Sequence, residues 1–140
     1  MSGVAILGYL MANDQTLVAQ VPAEKIIGGI VPLETVLPAI GILSITGIPR
    51  NTVAMTGTRL WTERVQVTPM ADQSHQGGAY PFVQNVLPLI RRACANRNGS
   101  INGFVLDSIL PDVEGPHFDD PVTRIVQKSQ DFIVRGKETI

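Results

Sequence analysis

Charged residues and cysteine are both scarce in this sequence. Only 16% of its 140 residues are Asp, Glu, Lys or Arg, whereas 44% are hydrophobic, and this balance argues against a disordered chain. Because so little charge is available to cover the surface, we expect some apolar surface to be buried against another chain. The single cysteine, Cys94, cannot form an internal disulfide, which indicates a small core side chain in a reducing compartment.

The sequence also lacks a basic excess and a long apolar run. A formal net charge of -1 gives no electrostatic reason to expect binding to free nucleic acid. No apolar run approaches the roughly 20 residues of a membrane span. The first residues carry no basic segment, so no signal peptide is expected. Together these absences predict a soluble protein of the cytoplasm.

One amphipathic stretch, residues 80–95, organises the predicted fold. Its apolar side chains recur at helical spacing and form a single stripe: Val83, Val86, Leu87, Ile90 and Cys94. Pro81 suits the first turn of a helix, whereas Pro88 removes an interior hydrogen bond and predicts a kink or two short helices. A helix this short needs an apolar surface to lie on, and the flanking segments resemble strands that could supply it.

The remaining segments predict an α+β fold. Residues 2–20 have helical spacing, and five strands are predicted at 25–31, 37–45, 61–69, 101–110 and 123–135. The last two strands are expected to form an antiparallel hairpin around an acidic loop at 111–121. Two main helices would pack on one antiparallel or mixed sheet, and no linker divides the chain, so residues 1–140 are expected to form a single domain.

Two features of the strands bear on function. The 37–45 strand is apolar on both faces, which predicts a central strand, whereas Trp61, Val65 and Val67 alternate with polar residues and predict a half-exposed one. Residues 47–57 are rich in turn formers and predict a long hairpin arm or a flexible loop.

The residues that could carry chemistry do not form a recognisable constellation. His75 and His117 lie in separate predicted loops. His117 with Asp119 and Asp120 could ligate a divalent ion, but a solvated hairpin tip is the commoner arrangement. Ser74 beside His75 lacks the glycine pattern of a nucleophile elbow. We therefore predict no enzyme activity, no metal and no cofactor.

Two further segments have a functional and a structural interpretation. The glycine pair at 28–29 lacks the lysine and the spacing of a phosphate loop, so a bulge or bend is preferred. Arg91 and Arg92 are more typical of a solvated helix end, where positive charge complements the helix dipole, than of a phosphate site.

The chain resembles the tail terminator, or tail completion, proteins of long-tailed bacteriophages and phage-like particles in the order and spacing of several segments and in its total length. The segments are Lys-Ile-Ile-Gly-Gly-Ile-Val-Pro at 25–32, Leu-Pro-Ala-Ile at 37–40, Ile-Thr-Gly-Ile-Pro at 45–49, Arg-Val-Gln-Val-Thr at 64–68 and Ser-Gln-Asp-Phe-Ile-Val at 129–134. The chain departs from similar proteins at Pro81 and Pro88, where those tend to have alanine and leucine.

The resemblance implies a structural virion protein in the tail or neck, assembled in the host cytoplasm. Such proteins form a hexameric ring at the head-proximal end of the tail tube, terminate tube polymerisation and provide the surface for head-tail joining. The implied partners are copies of the chain itself, the tail tube protein and a head-tail connector or head-closure protein. DNA would pass through the lumen without specific binding, and no membrane is involved.

Two sets of residues are candidates for this role. An extended arm could pair with a neighbouring subunit, and its residues are Arg50, Asn51, Thr52, Val53, Ala54 and Met55. An acidic loop could line a lumen that does not retain DNA, and its residues are Asp112, Glu114, Asp119 and Asp120. The alternatives are another neck or tail component, such as a head-closure or minor tail protein, and a small α+β ligand-binding protein or enzyme that uses His75 or His117.

Overall fold

The computed structural model describes residues 3–32, 34–49 and 57–139. The helical elements are α1 (Gly3–Ala12), α2 (Gln15–Gln20), a short 3-10 turn (Ala23–Lys25) and α3 (Ala79–Cys94). The strands are β1 (Ile26–Gly28), β2 (Ala39–Pro49), β3 (Thr58–Asp72), β4 (Gly99–Ile101), β5 (Phe104–Glu114), β6 (Phe118–Asp119), β7 (Ile125–Gln127) and β8 (Gln130–Thr139). The prediction of an α+β fold with helices on a mixed sheet is confirmed.

Four long strands form the body of the sheet. The strand order is β1-β2-β3-β8-β5-β4, and β7 pairs with the end of β3 and with β6. All of these pairs are antiparallel except β1 with β2. The predicted pairing of the 101–110 and 123–134 segments is confirmed, since β5 lies against β8. The last predicted strand is divided, however, because β7 pairs with one end of β3 while β8 pairs with the rest.

The helices cover one face of this sheet. All five stripe residues of α3 are buried in a core with the inward side chains of β3, so the predicted placement of this helix is confirmed. Of the two outcomes predicted at Pro88, a kink or two short helices, the second is wrong, because α3 is continuous through Pro88. The exposed position of Pro88 and the packing of the opposite side of the helix on the sheet account for this, since tertiary contacts stabilise a helix more than local propensity does.

The N-terminal helical segment divides where a second cap is available. Asp14 caps α2, and its side-chain oxygen accepts a hydrogen bond of 3.0 Å from the Leu17 N–H. This contact satisfies one of the amide groups that have no partner inside the first turn. Both helices contact α3, so they extend the layer that it begins.

The alternation predicted for β3 is confirmed. Trp61, Val65 and Val67 are buried on the helix-covered face, and the intervening residues are half-exposed on the other. We call the uncovered side of the sheet the open face. It is defined by Thr62, Arg64, Gln66 and Thr68 of β3 and by Asp131, Ile133, Arg135 and Lys137 of β8.

The prediction that β2 is a central strand applies only to its first half. Residues 39–42 are buried, but residues 43–49 are exposed. The reason lies in the neighbour, because β1 is short and pairs with β2 only from Ile40 to Ile42. An apolar sequence on both faces of a strand therefore does not guarantee that both faces are covered.

The acidic segment at 111–121 is not a single loop, which corrects the prediction. Asp112 and Glu114 belong to β5, and Asp119 belongs to β6. β5 continues through Pro111 because pairing with β8 extends to Glu114 opposite Gln130, with an irregularity after Pro111 that accommodates the extra residues. The turn formers Gly115 and Pro116 follow this strand instead of interrupting it.

Candidate assembly surfaces

Two stretches of strand lack a neighbour among the described residues. On one side of the sheet, β1 ends opposite Ile42, so residues 43–49 of β2 are left unpaired on that side by the described part of the chain. On the other side, β4 pairs only with residues 104–106, and the Ile109 carbonyl accepts a hydrogen bond of 2.8 Å from the Asn96 N–H, so residues 110–114 of β5 are left without a neighbouring strand by the described part of the chain. We call these stretches the β2 edge and the β5 edge.

Both edges carry exposed apolar side chains. Ile48 on the β2 edge is 68% exposed, and Val113 on the β5 edge is 57% exposed. Leu43 and Leu110 are also exposed. Unpaired strand edges with apolar side chains are templates for pairing with another chain. A monomer with two such edges is therefore prone to associate.

Irregularities interrupt each edge. The β2 edge has a register shift between Ser44 and Thr46 and ends at Pro49. The β5 edge has a shift between Pro111 and Glu114, and Pro111 itself lacks an N–H to donate. Bulges and prolines are devices by which natural sheets limit indiscriminate pairing. The edges therefore favour a partner of defined geometry over an arbitrary strand.

An ion-pair cluster lies on the open face beside the β5 edge. The Arg64 guanidinium lies 2.6 Å from the Asp112 carboxylate and 3.1 Å from that of Asp131. The hydrogen bond to Asp112, followed by that to Asp131, raises the pKa of Arg64 above its ordinary value. Because all three side chains are partly exposed, the cluster contributes little to stability, and its effect is to neutralise charge on this part of the face.

The four candidate acidic residues occupy two separate places, and each has a partner. Asp112 pairs with Arg64, and Glu114 lies 3.7 Å from the Lys128 ammonium group. Asp119 accepts a hydrogen bond from the side-chain amide of Gln73.

Asp120 has a local structural role. Its carboxylate accepts hydrogen bonds from the backbone N–H groups of Val122, at 2.9 Å, and Thr123, at 3.3 Å. These bonds lower the pKa of Asp120, because they stabilise the ionised carboxylate. Asp120 therefore holds the turn that leads into β7.

The candidate arm residues, Arg50 to Met55, lie outside the described residues. The strands that flank them are described and remain paired close to the arm, since Pro49 of β2 lies opposite Trp61 of β3. Residues 47–49, which were predicted to belong to a turn-rich excursion, instead belong to β2.

A buried glutamine that sequence reasoning missed joins α3 to the β5 edge. The side-chain oxygen of Gln130 accepts a hydrogen bond of 3.0 Å from Arg91, and its amide donates to the backbone oxygen of Asp112 at 3.2 Å. Gln130 is only 2% exposed. Gln130 thus connects the helix to the strand, and no local pattern in the sequence signals it.

A second missed residue is Glu63, which is buried among the apolar side chains of β3. It is 4% exposed, and its carboxylate accepts a hydrogen bond of 3.2 Å from the N–H of Gly3 at the start of α1. The position of a carboxylate at a helix N-terminus is favourable, because the unpaired amides there carry partial positive charge. Glu63 thus fixes the start of α1 on the sheet.

A groove of about 1010 Å³ opens beside the β2 edge on the open face. Its walls are the 29–37 segment, which follows β1, and the β6–β7 segment. Exposed apolar residues lie at its rim, notably Ile30, Val36 and Phe118. Leu43 belongs both to the groove and to the β2 edge, so the groove continues that edge.

The two histidines considered for chemistry both pack against aromatic rings. His75 packs against Phe82, with ring centroids 4.4 Å apart, and His117 packs edge-on against Tyr80 at 4.6 Å. Among the described residues, no three His, Cys, Asp or Glu side chains are arranged to hold a metal ion. Burial raises the pKa of the Cys94 thiol to about 12, so the thiol remains protonated at neutral pH.

Comparisons with known proteins identify a shared fold. No family model and no curated protein matches the sequence. Within the described part of the chain, none of the helices is long and apolar enough to cross a membrane. The fold is similar to that of a chain in the virion of a native gene transfer agent (GTA) particle, with a TM-score of 0.69 and 10% sequence identity. The alignment covers 96% of this chain and 94% of that one, so the two chains share a fold over nearly their whole lengths.

Proposed function

We propose that this protein is a structural component of a phage-like virion, and that it forms a closed ring at the head-proximal end of the tail tube. The ring ends tube polymerisation and offers a surface for head-tail joining. The observation that carries the proposal is the pair of unlike uncovered edges on opposite sides of one sheet. The fold shared with a chain of a GTA virion supports the same kind of particle.

The strand directions are compatible with a ring. β2 is antiparallel to β3, β3 to β8 and β8 to β5, so the β2 edge and the β5 edge run in opposite directions. Rotation about an axis roughly along the strands preserves direction. The β5 edge of one copy therefore meets the β2 edge of the next in antiparallel orientation. One heterologous contact, repeated until it closes, generates the ring.

The dimensions are suitable for a channel. Each copy contributes four long strands, so six copies give about 24, and at about 4.8 Å per strand the closed sheet measures about 115 Å around. The backbone diameter is then about 37 Å, from which inward side chains subtract about 10 Å. The remaining width admits a DNA duplex. The helices lie outside this channel, and the open face lines it.

In this arrangement the acidic residues have unequal roles. Asp112 and Glu114 lie on β5 at one end of the open face and border the channel together with Asp131. Their pairing with Arg64 and Lys128 makes this part of the lining close to neutral. A neutral lining neither attracts nor strongly repels phosphates, which suits the passage of DNA.

The test is capping of tail tubes by edge variants of the full-length protein. Ile48→Lys on the β2 edge and Val113→Lys on the β5 edge place a charge at exposed positions, so folding is expected to be retained. Tube ends viewed by electron microscopy should carry a ring with the wild-type protein and lack it with either variant. Val122→Lys is the matched control, because Val122 is 88% exposed and belongs to neither edge.

The same capping experiment also tests a protein from which residues 50–55 have been deleted. We expect the deletion protein to fold and to fail in capping, because an extended arm can pair with a neighbouring subunit. Normal capping by the deletion protein would show that residues 50–55 are not part of the interface between subunits. Normal capping by both edge variants would overturn the edge-to-edge ring itself.

The runner-up is a ring at another level of the neck or tail, such as a head-closure or minor tail protein. The β2 edge and the β5 edge support this alternative equally, because they would join the subunits of a ring but do not determine which particle component the ring binds. Binding to isolated tube ends distinguishes the two roles. A protein that forms rings but never occupies a tube end belongs to another level.

A further inference from the structure

Two cations on the open face have no partner of opposite charge among the described residues. Arg135 and Lys137 alternate along β8 with the buried residues Val134 and Gly136, so both project from the open face. The described residues provide neither of them with an ion pair or a side-chain hydrogen bond. Asp107, in the bulge of β5 opposite this part of β8, pairs with neither cation.

The cross-strand neighbours of these cations are neutral. Arg135 lies between Thr62 of β3 and Ser108 of β5. Lys137 lies between Leu60 and Val105 in the same two strands. A folded sheet usually places opposite charges across from one another where it has cations to neutralise. Here that arrangement is absent, and hydroxyl groups, which also donate to phosphate oxygens, flank the guanidinium.

Most other cations of the described chain are used internally. Arg59, Arg64, Arg91, Arg92 and Lys128 form ion pairs. Arg97 and Arg124 donate hydrogen bonds to a backbone oxygen and a side-chain amide, respectively. Of the described cations without a carboxylate partner, Arg135 and Lys137 are the two that lie together on the open face, while the carboxylates of Asp112 and Asp131 lie toward its other end.

We propose that Arg135 and Lys137 form a phosphate-contacting belt for duplex DNA at one rim of the channel. This inference rests on the proposed function, because only a ring repeats the pair around a common axis. Two cations in each of six copies give about twelve contacts, and multivalency makes weak individual contacts effective together. The two side chains are about 6.8 Å apart along β8, so both can contact one DNA backbone.

The belt modifies the expectation that DNA passes without any retention. Contacts to phosphates carry no sequence information, so the DNA is held by charge alone and can still move along the channel. The neutralised cluster around Arg64 contributes no such contact. The attraction is thus confined to one end of the passage.

The experiment is retention of the full-length protein on immobilised duplex DNA, read as the salt concentration of elution. We expect the Arg135→Ala/Lys137→Ala protein to elute earlier than wild type, and its log-log salt slope to fall by about 1.8 for each subunit that contacts the DNA, since each of the two phosphate contacts contributes about 0.9. Lys25→Ala/Arg92→Ala is the matched control, because it removes the same charge outside the open face. Arg135→Lys should retain most of the binding.

Equal elution of wild type and the Arg135→Ala/Lys137→Ala protein would overturn the belt, and so would equal losses in that protein and the control. Wild-type retention on polyglutamate equal to that on DNA would instead assign the cations to an acidic protein surface. The assay needs no tail tube, so its failure is distinct from failure of the ring. Tube capping by the Arg135→Ala/Lys137→Ala protein should be normal.

Discussion

The two faces of the same sheet use their side chains in different ways. On the helix-covered face, β3 buries Trp61, Val65 and Val67 against α3, and even the carboxylate of Glu63 is satisfied by a helix N-terminus. On the open face, Arg64 is neutralised by carboxylates, whereas the described residues offer no carboxylate to Arg135 or Lys137. On the first face, every buried side-chain nitrogen and oxygen among the described residues has a hydrogen-bond partner, and the packing stabilises the subunit. The second leaves groups unsatisfied, and these are available to other molecules.

This comparison predicts that substitutions on the covered face affect folding, whereas those on the open face and edges affect assembly. The largest effect is expected in the center of α3. Leu87 is fully buried, so Leu87→Asp places an unpaired carboxylate in the core at a cost of about 4 kcal/mol or more. We expect the variant not to fold. Circular dichroism measures this, with Asn85→Asp, at an exposed position of the same helix, as the control. A cooperative native-like melt for Leu87→Asp would contradict the placement of the helix.

A smaller effect is expected where the covered face approaches the backbone of β8. Gly136 lies against the Trp61 indole, and a Cβ at this position would overlap the ring. Gly136→Ala should therefore destabilise the protein by about 1–3 kcal/mol, the usual cost of overpacking a core. Thermal unfolding measures this as a lower Tm.

Gly8→Ala is the control for Gly136→Ala. Its Cβ would meet the Ile42 side chain at an ordinary contact distance of 3.6 Å. Because alanine stabilises a helix interior by about 0.5–1 kcal/mol relative to glycine, this variant should be as stable as wild type or more so. An unchanged Tm for Gly136→Ala would show that Trp61 can move away without cost.

The smallest effect is expected at the exposed turn before β7. Hydrogen bonds from Val122 and Thr123 lower the pKa of Asp120 from 3.8, so its ionised form stabilises the fold above that pH. The contribution is lost as the pH falls through the lowered pKa. Asp120→Asn should have a slightly lower Tm than wild type at pH 7, and the difference should shrink below about pH 3.8.

Asp107→Asn controls for the change in net charge, because the described residues provide Asp107 with no ion pair. If both variants differ from wild type equally at every pH, net charge explains the effect and the turn does not. If only Asp120→Asn depends on pH, the hydrogen bonds to Asp120 are responsible.

Periodicity predicted the covered face well. The apolar stripe on α3 and the alternation in β3 each identify the side of the element that is buried. This is possible because the spacing of apolar residues within one helix or strand determines which of them lie on the same side. The division at Asn13 and Asp14 also depends on local sequence, since a capping side chain acts on amides a few residues away. Pro88 does not divide α3 into two helices, because its local cost is offset by contacts with distant strands.

The edges and the open face were predicted less well. The β2 sequence is equally apolar before and after Ile42, yet β1 covers only the first part. The acidic segment contains turn formers, but its carboxylates are divided between β5 and the β6–β7 region. No residue near Gln130 in the sequence indicates that it binds Arg91 and the Asp112 backbone. Each of these outcomes depends on which other strand lies next to the segment in the sheet.

The sequence by itself therefore determined the fold class, the buried stripe and the inward side of β3, because these follow from patterns within single elements. The tertiary structure decided which strand ends remain uncovered and which cations lack a carboxylate. Those properties belong to pairs of segments far apart in the chain, such as Arg64 with Asp131 or Arg135 with Ser108. Strand register sets them, and register is fixed only when the whole sheet assembles.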